Sequence, residues 1–189
     1  MKGDADHAAV NSDPTPIHPR DPATRLRKVS AADEGFVGTL FKAVRAEQFE
    51  AANLPAALLD TLLEQQLRAQ TAGYAERHPD AATLIVIHGD VPVGRLIVQM
   101  ERQSWRIVDI ALLPDAQGRG IGSDLIEAVA EAAASAAARE VGLSVRTSNI
   151  AARRLYARLG FTETGDDGAH VAMRRPLGPD AVTAPLRSP

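Results

Sequence analysis

The stretch that most limits how this 189-residue chain can fold runs from Ile107 to Gly122. Residues 105–113 form an apolar strand candidate, stopped by Pro114. Asp115 and Ala116 follow, then Gln117-Gly118-Arg119-Gly120-Ile121-Gly122, and then an alanine-rich helix reaching to about Arg139. A strand that passes through glycines into a helix N-terminus gathers unpaired backbone N–H groups at the positive end of the helix dipole. Glycine lets an anion approach that backbone closely, so a pyrophosphate is the guest such a loop suits. A dinucleotide-binding loop would carry glycine at 123, where Ser123 stands, and a P-loop would need lysine. On the glycines alone, a left-handed turn kept for tight packing is an equal reading. Within the helix Ile121, Leu125, Val129 and Ala133 recur every four residues, which gives it one face for a sheet.

Prolines mark the limits of the folded part. Of 12, four fall in residues 1–24 and four in 176–189, among Asp, Ser, Thr, Gly and Ala. Such segments bury too little apolar surface to offset their ordering entropy. The expectation is two flexible tails, 1–24 and 178–189, around one domain at 25–177. Its elements read as a strand at 26–29, a helix from Asp33 (as N-cap) to Glu47 and a second from Pro55 to Arg77. A hairpin of 83–87 with 92–101 and the 105–113 strand come next. The alanine-rich helix, a strand at 142–146, a helix at 149–159 and short strands at 161–163 and 170–175 complete the order β-αα-βββ-α-β-α-β-β. That order specifies a mixed α/β (α+β) fold, with a central sheet of six to seven strands and helices on both faces.

Composition narrows the function. A net charge of −3 and 4% aromatic residues suit no nucleic-acid platform, which needs a cationic groove and stacking rings. Cysteine is absent, so disulfides, thiolate metal sites and a cysteine acyl-enzyme are excluded. No metal is expected. No run of 18 apolar residues and no signal-peptide pattern is present, so no membrane partner and a cytoplasmic location are expected.

The Gln117-x-x-Gly120-x-Gly122 loop is followed by Asn149-x-x-Ala152-x-x-x-Tyr156-x-x-x-Gly160-Phe161. In this pairing and spacing the chain resembles the GNAT family of N-acetyltransferases over about 107–161. The resemblance implies a GNAT fold whose adjacent parallel strands splay, with acetyl-CoA as co-substrate entering the gap. It further implies that pantetheine pairs with the backbone of Ile110, Ala111 and Leu112. The pyrophosphate then rests on Gln117, Gly118, Arg119, Gly120, Ile121, Gly122 and Ser123. Asn149 would contact the cofactor and also cap its helix, and Tyr156 would stand beside the thioester sulfur as proton donor. The acceptor implied is a small-molecule or peptide amine, attacking directly in a ternary complex, and a homodimer is left open. A CoA-binding regulatory or interaction module without turnover is the alternative.

The catalytic base is less plainly marked. Ribosomal-protein acetyltransferases of the family carry a glutamate base in a Leu-Glu-Val-Arg strand. Here that strand reads Leu143-Ser144-Val145-Arg146, and Ser144 cannot serve. Asp109 is the candidate, because a carboxylate inside an apolar strand is costly unless used or paired; a salt bridge or an edge position is the other account of it. On the second helix Gln66, Gln70 and Tyr74 continue the line of Leu59, Leu62 and Leu63 at helical spacing, so they are expected to line the acceptor side of the cleft. Their amides suit a polar, weakly charged acceptor group.

Overall fold

A computed structural model of the chain describes residues 17–50 and 55–178. Seven strands form one mixed sheet: β1 (Thr24–Lys28), β2 (Ala82–His88), β3 (Val91–Met100), β4 (Ser104–Leu112), β5 (Glu140–Arg146), β6 (Thr162–Asp166) and β7 (His170–Pro176). Their order across the sheet is β1-β2-β3-β4-β5-β7-β6, antiparallel throughout except for the parallel pair β4–β5. The helices are α1 (Glu34–Glu50), α2 (Ala56–Arg77), α3 (Ile121–Ser135) and α4 (Ile150–Arg158). No helix among the described residues is long and apolar enough to cross a membrane.

Alternation along the strands divides the core in two. Val86, Leu96, Val98, Trp105, Ile107, Val141, Leu143 and Val145 face α3 and α4, where Leu125, Ile126, Val129, Tyr156 and Phe161 close the main core. Ile85, Ile87 and Ile97 point to the other face, which α1 and α2 cover with Leu40, Phe41 and Leu63.

Three features depart from the sequence reading. Asp33 does not cap a long helix. It ends a short 3-10 turn (Ala31–Asp33) before α1, accepts the Ser30 N–H at 2.8 Å and is clamped by both Arg27 Nη atoms at 2.6 and 2.7 Å. Helix α3 stops four residues short of Arg139. Ala137 takes φ 59° and the Ala138 N–H bonds back to Ala133 O at 2.9 Å, a Schellman ending built without glycine. It turns the chain so that Glu140 enters the sheet parallel to β4, with Ala138 buried in the core. Residues 17–23, read as part of a tail, lie against α3: Ile17 is buried in the main core, Arg20 and Asp21 donate backbone N–H to the Asp124 carboxylate, and Arg20 ion-pairs with Glu131. The remainder of the two expected tails, 1–16 and 179–189, lies outside the described residues.

Candidate active site

The parallel pair β4–β5 is short. It runs from Ser104↔Glu140 to Ile107↔Leu143 and goes no further. Beyond that point β4 stays with β3 as far as Gly94↔Leu112, and β5 stays with β7 as far as Arg146↔His170. The two strands therefore part, and β4 from Val108 to Leu112 has no strand partner on the side of the gap. Ile110, Ala111 and Leu112 form this free margin. Gly94 keeps β3 tight against its other side, since a Cβ there would overlap the Ala111 carbonyl oxygen.

At the mouth of the gap the glycine loop enters α3. Gly118 and Gly120 take φ 71° and 86°, the left-handed region open to glycine, with empty space where a Cβ would stand. Asp124 is the first residue to bond back, to Gly120 O at 3.0 Å, so the N–H groups of Ile121, Gly122 and Ser123 have no acceptor within the helix. Gln117 folds its side chain onto β4, donating Nε2–H to Leu112 O at 2.9 Å. It braces the loop. Arg119 is exposed. Across the gap, Asn149 caps α4 by accepting the Ala152 N–H at 3.1 Å.

A β-bulge sets the chemistry of the opposite face. The register shifts from Ile97↔Asp109 to Val98↔Ile107, which leaves Val108 as the extra residue of β4. Trp105 and Ile107 face the main core, but past the bulge Asp109 turns to the α1/α2 face. There Arg95 of β3, itself buried, donates Nη2–H to Asp109 Oδ2 at 2.7 Å and Nε–H to the same oxygen at 3.2 Å. The Tyr74 hydroxyl reaches Oδ1 at 3.4 Å. Gln70 Oε1 accepts from Arg95 at 3.4 Å, and Gln66 Oε1 accepts from Arg45 at 3.3 Å. The structure thus brings Gln66, Gln70, Tyr74 and Asp109 together, through two arginines the sequence reading did not single out. Arg95 was detectable, as a cation inside an apolar strand one hairpin from an equally misplaced aspartate. Arg45, in α1, carries no such signal.

Tyr156 of α4 is buried in the main core and meets Phe161 with ring centroids 5.9 Å apart. Burial, and then the negative charge of Asp109, raise its pKa above the ordinary phenol value. The same two causes push Tyr74 up to about 12. These are the chain's two tyrosines. Both phenols hold their protons more tightly folded than unfolded. Their contribution to stability is intact below pH ~10, the unfolded value, and is lost as pH rises through the folded one. Absorbance at 295 nm is expected to rise at higher pH than for free tyrosine, which is half ionised near pH 10, with Tyr74 ionising only near 12 or on unfolding. A midpoint at pH 10 in the folded protein would contradict the burial of both rings.

The acetyltransferase (GNAT) family profile matches residues 43–161, well over half of the chain. The chain belongs to the GNAT acetyltransferase family. Acetyl transfer is the function this membership assigns. An uncharacterised N-acetyltransferase of Methanocaldococcus jannaschii is 28% identical over 123 residues, covering 59% of this chain and 78% of that protein. Two solved structures share the fold. PaiA N-acetyltransferase from Thermoplasma acidophilum, in complex with coenzyme A, matches 81% of this chain and 98% of its own with TM-score 0.62 at 15% identity. An acetyltransferase from Thermus thermophilus matches 82% and 97% with TM-score 0.62 at 24% identity. The GNAT chain described here has Ser144 exposed on β5. Arg153, one of three arginines on α4, pairs with Glu163 at 2.7 Å, whereas Arg154 and Arg158 are exposed.

Proposed function

We propose that the protein transfers an acetyl group from acetyl-CoA to a primary amine, by direct attack within a ternary complex. The observation that carries this reading is the parting of β4 from β5 immediately before a glycine-bearing helix N-terminus. Pantetheine can complete the ladder of β4 along Ile110, Ala111 and Leu112. The pyrophosphate can take the N–H groups of the 117–123 loop, and Asn149 borders the cofactor from α4.

The amine arrives protonated. With a pKa near 10.4, about one lysine-like amine in a thousand is neutral at pH 7, so a proton must leave before attack. Asp109 is proposed to accept it through water on Oδ1, since Oδ2 is held by Arg95. The amine nitrogen then adds to the thioester carbonyl, whose oxyanion a free N–H of the β4 margin can stabilise. Collapse breaks the C–S bond; Tyr156 gives its proton to the departing thiolate, and the second proton on the acetylated nitrogen is lost to water, from which the Tyr156 phenolate is reprotonated. The raised pKa of Tyr156 keeps its phenolic proton available at neutral pH. The acceptor is proposed to enter over Gln66, Gln70 and Tyr74.

The test is calorimetry with acetyl-CoA, followed by thiol release against a panel of amines. Wild type should bind and turn over. Gly120→Asp should weaken acetyl-CoA at least about tenfold, because it puts a side chain and a negative charge where an anion should rest, at a left-handed φ. Unchanged affinity would remove the loop from the cofactor site.

A further inference from the structure

A cavity of about 1060 Å³ lies between α1, α2 and the sheet. Its deep walls are apolar: Phe41, Leu63 and Ile97 are buried, and Val37 and Leu67 are half-buried. Of its charged lining residues, Glu34, Glu64 and Arg68 are exposed, Lys42 pairs with Asp60 at 2.7 Å, and Arg95 pairs with Asp109 at the same distance. No buried charge is left for a ligand to neutralise, so apolar contact has to carry what binds there. Three of the walls adjoin Asp109. Ile97 stands directly across the strand pair from it, Arg95 holds its Oδ2, and the Tyr74 hydroxyl reaches its Oδ1 at 3.4 Å. On the far side Thr83 of β2, also in the wall, is the cross-strand partner of Ile97. From Thr83 through Ile97 to Asp109 is two strand spacings, about 10 Å.

We infer that this cavity holds the body of the acceptor, and that the acceptor is a primary amine on an alkyl or arylalkyl chain. The inference rests on the acetyl-transfer reading above and names the class of its substrate. Seated in this way, the chain lies over β2 and β3, and its nitrogen comes to the Tyr74 hydroxyl and to Asp109 Oδ1, the oxygen that Arg95 leaves free. From Asp109, β4 runs directly into the free margin of Ile110, Ala111 and Leu112, so the nitrogen stands at the end of the cavity nearest the proposed thioester. The three α2 side chains singled out in the sequence divide. Tyr74 lines the cavity, whereas Gln66 and Gln70 are not among its walls, and their amide oxygens accept from Arg45 and Arg95. On the same helix the wall is made by Leu63 and Leu67 instead. A polar chain would give up its water there without matching hydrogen bonds, whereas each buried methylene gains. The proposal therefore replaces the polar, weakly charged acceptor that the amides suggested. Hexylamine and phenethylamine are amines of this kind, and a pocket of this volume takes a ligand of their size or larger.

The experiment measures kcat/KM for ethylamine, butylamine, hexylamine and phenethylamine, and for diglycolamine, which matches hexylamine in length but carries an ether and a hydroxyl. Acetyl-CoA binding is measured by calorimetry on each preparation, so that a misfolded variant is recognised. Each added methylene should raise kcat/KM about threefold to fourfold, mostly through KM, and diglycolamine should fall at least about tenfold below hexylamine. Leu67→Gln should flatten the dependence on chain length by making one wall polar. Thr71→Trp, at an exposed position of the wall, should fill the cavity without disturbing the core. Both should cost hexylamine at least about fivefold more than ethylamine, whereas a merely structural effect would lower the two alike. Equal kcat/KM along the series, diglycolamine as good as hexylamine, or equal losses for both amines in both variants would overturn the cavity as the acceptor site and leave acetyl transfer standing. Turnover of other amines in the wider panel, but of none of these, would do the same. Intact acetyl-CoA binding with no acetylation of any amine would overturn the amine-acceptor reading, and this inference with it.

Discussion

Tyr156→Phe is expected to lower kcat by about 10²–10⁴-fold, the usual contribution of a positioned proton donor, and to change acetyl-CoA affinity by less than about threefold. The substitution removes one oxygen from a ring that is 8% exposed and packed on Phe161. It leaves the apolar contacts of α4 in place, so the variant should fold. Only the proton is lost, and a thiolate leaving without one resembles a free cysteine thiolate, of pKa about 8.5, released into an apolar pocket. The penalty should therefore appear in the chemical step and not in KM for the donor. Single-turnover rates alongside calorimetry make the check. Because burial and Asp109 both raise the Tyr156 pKa, the wild-type rate should not fall for want of the phenolic proton as pH rises to 9. Equal single-turnover rates for wild type and Phe would return Tyr156 to a packing role.

The architecture was legible because periodicity and punctuation agree along most of the chain. The hairpin β2–β3, the apolar β4 stopped by Pro114, and the glycines before α3 each leave a local mark. What could not be read are events that one segment imposes on another. A regular hairpin through Met100↔Trp105 would set Asp109 opposite Leu96, facing the main core and away from Arg95. The single inserted residue Val108 reverses that, and no glycine or proline announces it. Ala137 is similar: a left-handed residue in an alanine run follows from the need to start β5 parallel to β4, not from its own preference. Gln66, Gln70 and Tyr74 were found by their helical spacing. Their partners were not, because Arg45 lies 21 residues from Gln66 and meets it only once α1 and α2 pack together.

Arg95→Met should cost about 3–5 kcal/mol of folding stability, the usual result of stripping one partner from a buried ion pair. The Arg95 side chain is 8% exposed and Asp109 20%, so the carboxylate left behind could recover only part of its hydration. It would keep the Tyr74 hydroxyl at 3.4 Å as its hydrogen-bond donor, and Gln70 would lose the group it accepts from. At this chain length the loss corresponds to a fall in Tm on the order of 10 °C, measurable by calorimetry. The double variant Arg95→Met with Asp109→Leu separates charge from packing. Replacing both members by apolar groups removes the unpaired charge, and stability should return to within about 1 kcal/mol of wild type or above it. Activity should not return, because Asp109 is lost as proton acceptor and Tyr74 as its neighbour is freed. If Arg95→Met alone is as stable as wild type, the ion pair is solvated and Asp109 is not held by Arg95. If the stable double variant retains full turnover, Asp109 is structural and the base lies elsewhere in the gap.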